Sequence, residues 1–173
     1  VWLFDFFKRK KKPKGLPHQL GLMFLFKDLV YWVDDGFDFL KRENTIFLDR
    51  NNLYLFCAVI IKNCYEIFYF HHRNKDHIEK EFLEEYYQSI IDIIKIHNNI
   101  EYNEAYDITK KGIDYFKNIF EESAKNKDWS LFVDKFFFAY THLDGLDEEK
   151  HCLASALPPK CKEIIDQMVC TFN

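Results

Sequence analysis

A chain of 173 residues has the length of one domain, and its 48% hydrophobic and 18% aromatic content is enough for a core without disulfides or metal. Nineteen Phe and ten Tyr against five Gly and four Pro exclude collagenous, low-complexity and disordered classes. The formal net charge of −4 hides a division: residues 1–14 carry six basic side chains and one acid, whereas residues 15–173 carry 18 basic and 27 acidic ones. The chain is therefore read as a +5 head on a −9 body. A body of that sign repels nucleic acid phosphate and attracts a basic protein.

The head, residues 1–14, is a basic aromatic segment. Trp2, Phe4, Phe6 and Phe7 precede Lys8, Arg9, Lys10, Lys11 and Lys12. Aromatic side chains beside a polybasic cluster suit weak, reversible contact with an anionic membrane surface. They suit docking on the body equally well. Pro13-Lys14-Gly15-Leu16-Pro17 then reads as a hinge to a single helical domain over 15–173.

From Phe37 to Lys111 there is neither Gly nor Pro, which favours long helices over short strands. Leu22, Phe26, Leu29, Val33, Phe37 and Leu40 recur every three or four residues, predicting a helix over about 18–41 with Gly36 as a kink. Residues 45–61 admit two readings. Asp49-Arg50-Asn51-Asn52 is either the turn of a short β-hairpin, or Asp49 or Asn51 caps a helix running to about Phe70. Length and all-round apolarity favour the helix.

Further on, Ile78, Phe82, Tyr86, Ile90 and Ile94 predict a helix capped by Asp76. Asn103 is the expected cap of the next, with Ala105, Ile108, Gly112, Tyr115, Ile119 and Phe120 on its stripe. Asp128 precedes a helix bearing Phe132, Val133, Phe136, Phe137 and Tyr140, closed by Gly145. Pro158-Pro159 is expected to open the last, with Cys161, Ile164, Ile165, Met168, Val169 and Phe172 facing inward. The fold class is an all-α bundle of six or seven helices.

Cys57, Cys64, Cys152, Cys161 and Cys170 form an odd set without a CxxC spacing, so they read as reduced thiols rather than a disulfide scaffold or zinc site. The longest apolar stretch, Leu53–Phe70, contains Lys62, Asn63 and Glu66 and suits a buried helix better than a membrane span. No secretory signal is evident, and the expected location is cytoplasmic, with peripheral contact at the inner membrane surface through the head.

No motif with a demanding spacing for nucleotide, metal or serine chemistry occurs, and the five glycines are too dispersed to cradle phosphate. Glu148 and His151 make one Glu-x-x-His, but a di-iron bundle needs two. No metal, cofactor or catalytic residue is assigned. The acids Asp34, Asp35, Asp38, Glu84, Glu85, Asp144, Asp147, Glu148 and Glu149 read as solvated faces.

Tyr31, Trp32 and Tyr87, with Tyr65, Tyr69 and Tyr86, belong to residue types enriched in interface hot spots. Tyr31, Trp32 and Tyr87 together with those acids form the candidate partner-binding set. In size, helical content and acidic body the chain resembles small bacterial immunity and inhibitor proteins. That resemblance implies a non-enzymatic module that neutralises a basic, nuclease-type toxin. The competing expectations are a helical enzyme with an interhelical pocket, metal-dependent through dispersed His, Glu and Cys, and a peripheral membrane adaptor using residues 1–14.

Overall fold

The computed structural model describes residues 16–37, 48–72 and 80–172. In chain order the helices are α1 (Leu16–Gly36), α2 (Arg50–His72), α3 (Lys80–Asn98), α4 (Tyr102–Asn126), α5 (Ser130–Thr141) and α6 (Asp147–Phe172), with no strand among the described residues. The all-α bundle is as the periodicity predicts. The expectations that fall on residues 1–14, Asp38, Leu40, Asp76 and Ile78 lie outside the described residues.

α2 is the axis of the bundle and packs against each of the other five helices. Residues 55–61 are buried without interruption, so its sequence has no polar stripe to display. This is why the stretch could be mistaken for strand or membrane span. It is long and apolar enough to cross a bilayer, yet 72% of that window is buried inside the protein. The hairpin alternative is corrected from Arg50 onward. Asp49 Oδ1 accepts the main-chain N–H groups of Asn51 (3.0 Å) and Asn52 (3.3 Å), which starts a helix instead of a turn.

Around α2 the core is aromatic. Phe56 stacks on Phe136 with ring centroids 3.9 Å apart and on Phe132 at 4.7 Å, and Phe136 stacks in turn on Tyr140 at 5.2 Å. On α3, Phe82, Tyr86, Ile90 and Ile94 are all buried, as their i+4 spacing predicts.

Several boundaries differ from expectation. α4 begins at Tyr102 with Glu101 as its N-cap, so Asn103 lies inside the first turn. Its buried stripe is Ala105, Thr109, Ile113, Phe116, Phe120 and Ser123, which turns Tyr115 outward. α5 ends at Thr141, and His142 takes the left-handed conformation at its C-cap. Gly145 (φ 96°) instead turns the linker to α6. α6 begins eleven residues before Pro158, which lies with Pro159 inside the helix. The two prolines remove donors to the carbonyls of Ala154 and Ser155. Ser155 is exposed, so solvent can serve its carbonyl and the helix continues.

Candidate functional site

α1 and α6 run antiparallel. Near one end Gly21 faces Phe172, where an added Cβ would stand 2.5 Å from the ring. Midway, Lys160 Nζ lies 5.5 Å from the centre of the Trp32 ring. At the other end Gly36 shares a hollow with Glu148 and Glu149. Along this seam lie two depressions.

The first, about 380 Å³, is floored by Trp32, Val33, Phe37 and Leu153 and carries Glu148 and Glu149. The second, about 730 Å³, includes Phe24 and Leu25 with Asp28, Glu163, Asp166 and Lys162. Five carboxylates thus border the seam against two lysines, Lys160 and Lys162. One of the two, Lys160, is already paired with Glu163 at 2.9 Å and lies over Trp32. The surface is apolar along its floor and acidic along its rim.

The structure brings together only part of the residue set expected from sequence. Trp32, Glu148 and Glu149 meet at the seam. Asp35 is exposed near the end of α1, and Asp144 and Asp147 are exposed where α5 passes into α6. Lys150 lies between Asp147 (3.9 Å) and Asp134 (3.8 Å). Tyr31 is exposed on the other flank of α1, 5.7 Å beneath Lys27 Nζ. Glu84 and Glu85 are exposed on α3, a helix that does not touch α6. Tyr87 faces α4 in a small hollow of about 200 Å³ with Tyr106 and Asp114. Burial, with the charges of Glu66 and Asp114, holds its phenol well above the usual range.

Asp34 is turned inward. Its Oδ1 accepts the Tyr140 hydroxyl at 3.2 Å, and its Oδ2 accepts Arg50 at 3.3 Å. Burial and the Asp34 charge push the Tyr140 phenol up. Burial alone would lower Arg50, but the Tyr54 hydroxyl and Asp34 outweigh it and raise the guanidinium. This acid ties α1 to α2 and α5, and it is not available at the surface.

The tyrosines at 65, 69 and 86 are also interior. Tyr65 OH meets His18 Nδ1 at 2.9 Å, and Tyr86 OH donates to the Ala58 carbonyl at 3.2 Å. The hydroxyls of Tyr65 and Tyr86 are satisfied inside the bundle, which is how a phenol tolerates burial. Sequence reasoning missed Asp28, Glu163 and Asp166 because each is isolated among other residue types. The available signal for Glu163 and Asp166 was their helical spacing with Glu149, Cys152 and Ala156 along one continuous α6, whereas Asp28 lies on α1.

Among the described residues no three of His, Cys, Asp and Glu gather closely enough to hold a metal ion. Cys57 and Cys64 are core thiols. Burial first, then the nearby Asp34 charge, pushes Cys57 up, while contact with Cys161 and burial do the same for Cys64. Neither is prepared to act as a nucleophile. No protein-family model, curated protein or solved structure matches the chain.

Proposed function

We propose that this chain is a non-enzymatic protein-binding module that captures a basic partner in the α1–α6 seam. As a bacterial immunity or inhibitor protein it would neutralise a nuclease-type toxin in the cytoplasm. The observation that carries this reading is the seam itself: an aromatic and aliphatic floor around Trp32 and Phe37, rimmed by Glu148, Glu149, Asp28, Glu163 and Asp166. A basic protein gains both steering and burial there, whereas a nucleic acid would be repelled by the same carboxylates.

The test is surface capture of a panel of basic nucleases by the full chain at about 50 mM and about 500 mM salt, where screening lengths differ several-fold. The expected result is a complex weakened by salt, with the loss mainly in association rate. Glu148→Lys with Glu149→Lys should weaken it by about tenfold or more. Association that ignores salt, or survives the double charge reversal unchanged, overturns the assignment of this seam.

A further inference from the structure

The neighbouring flank of α1, which shares Phe24 with the seam, borders a groove of different chemistry. Leu20, Met23, Phe24, Lys27, Val30 and Tyr31 follow one another at helical spacing along one wall. Arg50 and Tyr54 of α2 and Ile93 of α3 complete a cavity of about 420 Å³. Phe24 is 67% exposed at its mouth, and Leu20 and Tyr31 are also more than half open to solvent.

Two features distinguish it from the α1–α6 seam. No carboxylate lines it, and its two charged side chains are both cations, Lys27 and Arg50. In a body carrying −9 this is a local reversal of sign. Arg50 is paired with Asp34 and also bonds the Tyr54 hydroxyl, and it keeps further donors of its five-donor fork, with 39% of its side chain exposed. Lys27 is exposed over the Tyr31 ring. From Lys27 back to Leu20 the wall is apolar for seven residues, about 10 Å of helix axis.

We propose that this groove binds an amphipathic carboxylate, a medium-chain fatty acid being the simplest member. The carboxylate lies between Lys27 and Arg50, and the alkyl chain runs along Phe24, Met23 and Leu20 against Ile93. The volume of about 420 Å³ falls within the range of small-molecule sites. A neutral apolar ligand leaves Lys27 and the remaining donors of Arg50 unused, and a basic peptide is repelled by Lys27.

The experiment is isothermal titration of the full chain with decanoate, decanol and decyltrimethylammonium, each below its micelle-forming concentration, with NMR shifts locating the site. The expected result is one decanoate per chain, bound at least about tenfold more tightly than either comparison ligand, with shifts around Lys27 and Ile93. Lys27→Glu, at an exposed position, should weaken decanoate by about tenfold, while Glu148→Lys on the other flank leaves it unchanged. Equal affinity for decanol, several ligands per chain, indifference to Lys27→Glu, or self-association of the chain that excludes decanoate from the groove each overturns the proposal.

Discussion

Replacing Asp34 by alanine separates a structural acid from the surface acids that surround it in sequence. In the folded chain its carboxylate accepts the buried Tyr140 hydroxyl and the Arg50 guanidinium. Losing a hydrogen bond to a charged acceptor, and leaving a buried hydroxyl unpaired, costs about 1.5–3 kcal/mol. The Arg50 pair adds little, about 0.5 kcal/mol or less, because that side chain is 39% exposed and screened by solvent. Asp34→Ala should therefore destabilise by about 2–3 kcal/mol, lowering Tm by roughly 5–10 °C for a chain of this size. Asp34→Asn keeps an acceptor for Tyr140 and should cost only about 1 kcal/mol. The assay is urea unfolding followed by circular dichroism, with a double-mutant cycle between Asp34→Ala and Tyr140→Phe. Coupling of about 1–2 kcal/mol is expected. Glu148→Ala and Glu149→Ala are the controls and should stay within about 0.5 kcal/mol of the parent. An Asp34→Ala protein as stable as those controls, or a cycle with no coupling, would refute the inward role.

Two further outcomes follow from the core. An added Cβ at Gly112 collides with Leu55 Cδ1 and lies 3.1 Å from its Cγ; Leu55 is enclosed, so Gly112→Ala should cost about 1–2 kcal/mol by overpacking despite alanine's better helix propensity, with Leu55→Val partly restoring stability in urea unfolding. Burial raises the phenols of Tyr86, Tyr87 and Tyr140 above their usual value of 10.0, so above about pH 10 the unfolded chain gives up protons that the folded chain retains and stability falls. Below that pH their contribution is present in full. Tyrosinate absorbance followed alongside helix content should show a late fraction appearing only as helix is lost; complete ionisation with the helices intact would contradict the burial.

The helices that declare themselves in sequence are those with one dry face and one wet face. α3 is the clearest, because Phe82, Tyr86, Ile90 and Ile94 are buried while Glu84, Glu85 and Asp92 are exposed. α2 packs against all five other helices, so its length and all-round apolarity identified it rather than a single dry face. The ends of α5 and α6 were less legible because punctuation residues have more than one use. Gly145 serves a linker rather than a cap, and the proline pair is accommodated inside a helix. That second misreading also hid the candidate site. With α6 begun at Pro158, Glu148 and Glu149 look like loop acids, and nothing joins them to Glu163 and Asp166. The tyrosines misled for another reason. A phenol that finds His18 or a main-chain carbonyl inside the bundle has the same sequence signature as one waiting for a partner.

Charge by segment was informative, and charge by helix flank is more so. The flank of α1 that meets α6 is bordered by five carboxylates, while the flank facing α2 and α3 is lined by Lys27 and Arg50 with none. Asp34 lies between the two systems and holds Arg50 at the second groove, although no part of it lines either. An acid at that position therefore acts on binding only through the cation it positions. Asp34→Asn should lower decanoate affinity through a displaced Arg50 while leaving capture of a basic protein at the seam unchanged. Loss of partner capture with decanoate binding intact would place Asp34 at the seam instead. The two readouts together separate a positioning role from a contact role, which stability measurements alone cannot do.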